Sequence, residues 1–191
     1  MRILGIDPGL RSTGWGVIAS DDGRLRHIAN GAIQPNPNLA DAERLRFIFS
    51  ELDDVIAQHK PNQAAIEQIF VAKSAGSALR LGMARGVGLL ACGVNGLAVG
   101  EISARAVKKA VAGTGTAEKK QVQDMVTRLL AVTAKNADAA DALAIAIAVS
   151  NDAGKLADVG VGSGKGGAAG GLSAAIAAAL ARDDASNGGK T

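Results

Sequence analysis

The stretch RILGIDPGLRSTGWGVI, residues 2–18, decides the fold class. Its first part, Ile3 to Ile6, reads as a central strand that ends on an acid, Asp7. Pro8-Gly9 then turns the chain into a second apolar run, TGWGVI, and Asp21-Asp22-Gly23 separates that run from a third strand-like stretch at 25–34. Three such runs joined by turn residues predict an antiparallel three-strand meander. Beyond it, Leu45, Phe49, Leu52 and Ile56 recur at helical spacing, and Lys60-Pro61 closes that helix ahead of a short strand at about 63–69, QAAIEQI. A helix followed by a strand implies a crossover onto the same sheet. Residues 74–94 are helix-compatible with Gly82 and Gly86 four apart, 97–100 suit a fifth strand, and 103–110, 117–131 and 138–150 read as helices. The layout is α/β, with a five-stranded mixed sheet flanked by helices.

With 191 residues and 48% hydrophobic content the chain supports one sizeable core and little more. The expected domain is 1–150. Residues 151–191 hold ten glycines and eleven alanines, with four basic and four acidic side chains that cancel, and read as a flexible tail. Within it, 172–182 suits only a helix of marginal stability. Gly164-Lys165 resembles part of a phosphate loop, but Val159 and Gly166 stand where that loop needs a glycine and a Ser or Thr. A single cysteine, Cys92, rules out an internal disulfide, and His27 and His59 complete no zinc-ligand cluster. No run of roughly 18 strongly apolar residues stands out, so a cytoplasmic protein without a membrane role is expected.

Charge is unevenly spread. Residues 1–72 carry seven basic and nine acidic side chains, whereas 73–128 carry nine basic and three acidic. A basic stretch beside a mildly acidic one suits a protein that grips a polyanion, although an ordinary solvated surface shows the same imbalance.

Four acids stand out. Asp7 and Glu67 each interrupt an apolar strand, where an unpaired charge costs several kcal/mol if buried. Each also has an ordinary reading: Asp7 as a turn residue accepting backbone hydrogen bonds, Glu67 at an exposed sheet edge. Asp138 and Asp141 lie three apart at a helix start, on one face, where they would repel. Asp138 also fits as the cap of that helix and Asp141 as a first-turn acid favoured by the helix dipole. If the strand ends meet the helix start, four carboxylates converge with no nitrogen or sulfur donor nearby, which suits Mg²⁺ or Mn²⁺. Two such ions about 4 Å apart hydrolyse phosphodiesters by the two-metal route.

Five segments in order resemble the successive motifs of the RuvC family of Holliday junction resolvases: GIDPGLRSTGWGVI (5–18), AIEQIF (65–70) with AKSAGSAL (72–79), LGMARGV (81–87), GTGTAEKKQVQ (113–123) and DAADALAIAIA (138–148). The resemblance implies a ribonuclease-H-like three-layer sandwich and a homodimer that makes paired, symmetric nicks in a four-way DNA junction during recombination and repair. It also implies two Mg²⁺ per site, which Mn²⁺ can replace, and cooperation with a branch-migration motor. Asp7, Glu67, Asp138 and Asp141 fall on the catalytic, metal-binding acids of its motifs. Phe70 falls on an aromatic that stacks on a junction base. Lys108 and Lys119 fall on basic DNA-contacting residues, with Lys109, Lys120 and Arg85 as neighbouring candidates. Thr116, after Gly113-Thr114-Gly115, fits as a helix cap beside a backbone that a phosphate can approach. Gly82 and Gly86 suit close helix packing, either across the dimer or within the chain.

Two other classes share features with this sequence. The hairpin of residues 7–18 also resembles the phosphate-clasping hairpin of actin-like ATPases, but that fold needs a second, repeated domain. A ribonuclease-H-like nuclease acting on RNA shares the opening motif, and AIEQIF with AKSAGSAL favours the junction resolvases.

Overall fold

A computed structural model of the chain describes residues 1–68 and 74–151. Residues 152–191 of the tail expected over 151–191 and the aromatic candidate Phe70 lie outside the described residues. Among the described residues ten elements follow in order: β1 (Arg2–Asp7), β2 (Thr13–Asp21), β3 (Arg24–Ile33), α1 (Asp41–His59), β4 (Gln63–Glu67), α2 (Ala75–Val94), β5 (Ala98–Ile102), α3 (Ala104–Ala112), α4 (Lys119–Leu130) and α5 (Ala137–Asn151). The strands form one sheet in the order β3-β2-β1-β4-β5. The meander β1-β2-β3 is antiparallel and β1, β4 and β5 are parallel, as the hairpin and crossover signals predict.

Pleat alternation sorts the side chains into two cores. Leu4 and Ile6 of β1, Val17 of β2 and Ala64 and Ile66 of β4 pack with Ile48, Leu52, Val55 and Ile56 of α1 and with Ala84, Ala91 and Cys92 of α2. Ile48 and Val55 are deeper than Leu45 and Phe49, which the helical spacing also selects but which are only partly buried. On the other face Ile3, Ile18 and Ala65 pack against α5, which α3 and α4 cover in turn. From Ala139 to Val149 α5 is buried almost throughout, with Asp141 the half-exposed exception. A helix that is apolar all round belongs in a core, not on a surface.

Gly5 and Gly14 let α5 sit directly on the strands. A Cβ on Gly5 would run into the Ala142 carbonyl, and one on Gly14 into the carbonyl of Asp138. The sheet thereby offers α5 a smooth groove of backbone, and the helix start lands beside the end of β1.

Two capping expectations are corrected. The cap of α5 is Asn136, whose Oδ1 accepts from Ala139 N at 2.8 Å, so Asp138 sits inside the first turn with its side chain free for other work. The cap position of α4 is Glu118, not Thr116. There Gln121 Oε1 reaches back to accept from Glu118 N at 2.9 Å, and the preceding Ala117 is buried. Thr116 instead hydrogen-bonds Thr114 at 3.0 Å, while Gly113 closes α3 with φ 80°, a left-handed conformation that glycine adopts freely.

Candidate active site

Parallel strands end in register here. Asp7 closes β1, and because Ile6 pairs with Ile66, Glu67 at the end of β4 lies next to it. Asp7 has the parity of Ile3 and Gly5, and Glu67 that of Ala65, so both face α5. Clefts beyond the carboxyl ends of parallel strands are where open α/β sheets bind ligands. Gly14, the antiparallel partner of Asp7, brings Asp138 onto the same spot, and Asp141 follows one turn later.

Carboxylate oxygens of Asp7, Asp138 and Asp141 all lie within 4.8 Å of one another. Glu67 is not within that tight triangle. It lines the same cleft of about 240 Å³, together with Asp7, Asp141, Lys108, Lys119 and the apolar Ala104, Val107 and Val122. The four acids expected from the sequence are therefore brought together, three within a tight triangle and Glu67 beside Asp7 in the same cleft.

This concentration of charge is expensive. The Asp7 carboxyl is pushed up to about 7 by burial first and then by the charges of Asp141, Glu67 and Asp138, with Lys119 pulling the other way. Glu67 is raised too, chiefly by burial and then by Asp141. Lys119 Nζ donates to Asp141 Oδ2 at 2.5 Å, and that hydrogen bond holds the ammonium above its ordinary range. Against four acids the cleft supplies, among the described residues, two lysines, Lys119 and Lys108. An all-oxygen, undercompensated donor set in a half-buried cleft fits a hard divalent cation, which would take the place of the proton that Asp7 otherwise retains.

Not every basic candidate reaches this cleft. Arg85 Nη2 pairs with Glu101 Oε1 at 2.6 Å and ties α2 to the edge strand β5. Lys120 turns to Asp124 four residues on along α4, at 2.8 Å. Lys109 is exposed on α3 and does not line the cleft.

Three residues in contact with the acids or with the start of α5 escape the sequence reading. Ser12 Oγ donates to Asp138 Oδ2 at 2.5 Å, but one serine in a turn carries no signal in the sequence. The almost fully buried Asn30 accepts from Lys135 N at 3.0 Å and so holds the loop ahead of α5. Asn136 was recoverable, since an Asn just before an alanine-rich helix is a capping signal.

With this geometry in view, comparisons with known proteins give a consistent result. A family model described as "Crossover junction endodeoxyribonuclease RuvC" matches residues 3–149. The chain is 50% identical over 151 residues to the crossover junction endodeoxyribonuclease RuvC of Caulobacter vibrioides, covering 78% of this chain and 89% of that protein. It is 52% identical over 148 residues to the Zymomonas mobilis protein of the same name, covering 77% and 89%. Among solved structures, T. thermophilus RuvC in complex with a Holliday junction substrate superposes with a TM-score of 0.74 at 31% identity, covering 78% of this chain and 92% of that one. The sheet order and flanking helices are thus those of the ribonuclease-H-like fold.

Proposed function

This chain belongs to the RuvC family of crossover junction endodeoxyribonucleases, and on that premise we propose that it resolves Holliday junctions by paired, symmetric, Mg²⁺-dependent hydrolysis of phosphodiester bonds. The observation that carries the chemistry is the convergence of Asp7, Asp138 and Asp141 within 4.8 Å, with Glu67 on the adjoining strand end. These four side chains would hold two Mg²⁺ or Mn²⁺ ions, which supply Lewis-acid polarisation of the scissile phosphate and a more acidic attacking water. Lys119, fixed by Asp141, and Lys108, one helix away, present cationic heads to the DNA backbone at the mouth of the same cleft. Cleavage belongs to recombination and repair of DNA, and we place it in the cytoplasm beside a branch-migration motor.

A synthetic four-way junction and a matched linear duplex, each incubated with Mg²⁺ or with EDTA, test this reading. Symmetric nicks in the junction alone, abolished by EDTA, are expected. Equal cutting of both substrates, or ATP hydrolysis without cutting, would overturn it. In the same assay Lys119→Ala is expected to lower the slope of log affinity against log salt by about one and to slow turnover on the order of tenfold or more. An unchanged slope and rate would remove Lys119 from the DNA contact.

A homodimer with two such sites is part of the proposal. On α2, Leu79, Met83, Gly86, Leu90 and Gly93 recur at alternating steps of four and three, a seam that suits a helix packing along another helix. Leu79 and Leu90 are 66% and 57% exposed, and a Cβ on Gly82 or Gly86 would meet nothing within 4 Å. Those glycines therefore serve no packing within the chain among the described residues. By length and composition α2 is also apolar enough to cross a membrane. Its inner side, however, packs on the sheet through Ala84, Gly88, Ala91 and Cys92, and Arg85 is ion-paired to Glu101, so we read its outer stripe as the subunit contact. Leu90→Glu is expected to halve the solution mass measured by light scattering while leaving the circular dichroism spectrum intact. A mass that does not change would overturn this interface.

A further inference from the structure

The turn between β1 and β2 is held at points that span all three layers of the fold. Arg44, in the first turns of α1 and with a side chain only 11% exposed, donates through Nη2 to the carbonyl of Leu10 at 2.9 Å. Thr13, almost fully buried, donates from Oγ1 to the carbonyl of Gly9 at 2.8 Å and closes the turn on itself. Between these two anchors stands Ser12, whose hydroxyl donates to Asp138 Oδ2 at 2.5 Å. α1 lies on one face of the sheet and α5 on the other, so the turn passes over the end of the sheet and connects them.

A carboxylate has two oxygens, and a hydroxyl donor that takes one of them restricts how the other is presented. Asp138 needs such a restraint. It sits in the first turn of α5, is not the cap, and has no other side-chain hydrogen bond among the described residues. Asp141, its neighbour on the helix, is oriented instead by Lys119.

We propose that Ser12 is a positioning residue for the metal centre: its hydroxyl occupies Asp138 Oδ2 and so restricts how the carboxylate is presented to a metal ion held with Asp7 and Asp141. This rests on the metal-dependent reading of the cleft and adds to it a residue outside the four acids. Residues that orient metal ligands change metal affinity by roughly 10–100-fold when removed. Ser12 touches neither the DNA-facing lysines nor the other acids in the hydrogen-bond network, so its removal should act on metal affinity and spare the rest.

The test is a titration of Mn²⁺ and of Mg²⁺ into the full chain, wild type and Ser12→Ala, with free Mn²⁺ counted by electron paramagnetic resonance. Junction cleavage is followed across the same metal range. In Ser12→Ala the half-saturating metal concentration is expected to rise by about tenfold in both measurements. Turnover at saturating metal should stay within about twofold of wild type, junction binding in EDTA should be unchanged, and Ser12→Thr should restore much of the lost affinity. Superimposable metal titrations would overturn the proposal, as would a turnover defect that no concentration of metal repairs. If the wild type itself neither binds Mn²⁺ nor cuts junctions with metal, it is the metal-dependent reading that fails, so the two failures are distinguishable.

Discussion

Replacing Asp7 by Asn is expected to abolish junction cleavage, by a thousandfold or more, while making the metal-free protein more stable. Both effects have one cause. The Asp7 carboxyl is held up to about 7, against an ordinary value of 3.8, by burial and by three neighbouring acids. Below pH 3.8 it is neutral in folded and unfolded chains alike. Between 3.8 and about 7 the unfolded chain has lost the proton and the folded one has kept it, so stability falls as pH rises through that window. Above 7 the loss is complete. At about 1.4 kcal/mol for each pH unit of displacement, the folded, metal-free protein gives up as much as about 4 kcal/mol by pH 8. An amide of the same shape never acquires the charge. Asp7→Asn should therefore melt on the order of 5–10 °C above wild type at pH 8 in EDTA, with the gap closing towards pH 4. Wild-type metal affinity should weaken below about pH 7, because the ion must then displace a proton. Junction binding should survive, since Lys108 and Lys119 remain. Thermal melts in EDTA at two pH values, a binding assay and a cleavage assay check the set. An Asn variant that melts no higher than wild type would show that Asp7 is not destabilised by its neighbours, and loss of junction binding would show that it is structural.

Gly14→Ala is the second large effect, and it works without touching a carboxylate. The new methyl group would overlap the carbonyl of Asp138, backbone that cannot rotate away, and would lie 3.1 Å from Asp138 Cβ. Relief requires the first turn of α5 to lift from the sheet. Overpacking of this kind costs about 1–3 kcal/mol. For catalysis the displacement matters more, because a shift of about 1 Å in a reacting group is worth on the order of a hundredfold in rate. Chemical denaturation should show a lower midpoint with an unchanged slope, and cleavage should fall by about a hundredfold or more at saturating Mg²⁺. Near-wild-type cleavage would mean that α5 has slack at this contact and that Gly14 does not set the position of Asp138.

These two residues mark how far the sequence can be read. Asp7 and Glu67 were anomalous on sight, as acids inside apolar strands, and pleat parity alone puts Asp7 on the face of Ile3 and Glu67 on the face of Ala65. The spacing of Asp138 and Asp141 places them on one helix face, although a capping role for Asp138 and the helix dipole at Asp141 offer another explanation. The structure assigns the cap to Asn136 instead. Gly14, by contrast, carries no signal in the sequence. Nothing local distinguishes it, because the atom it makes room for belongs to a residue 124 positions later. The basic candidates divide in the same way: motif position selects Lys108 and Lys119, with Lys109, Lys120 and Arg85 as neighbours, and only packing places Lys108 and Lys119 in the cleft while turning Arg85 to Glu101 and Lys120 to Asp124.

By itself, then, the sequence determined what is periodic or local: strands of period two, helices of period 3.6, the turn residues between them, and the residue types of an all-oxygen cation site. Tertiary structure decided what depends on distance across the fold. It set the meeting of β1, β4 and α5 at one point, the bond from Ser12 to Asp138 and the pairing of Lys119 with Asp141. The physical reason is that backbone preferences act over a few residues, whereas the approach of α5 to the sheet is set by which strand positions lack a side chain, and that contact exists only once the layers have packed.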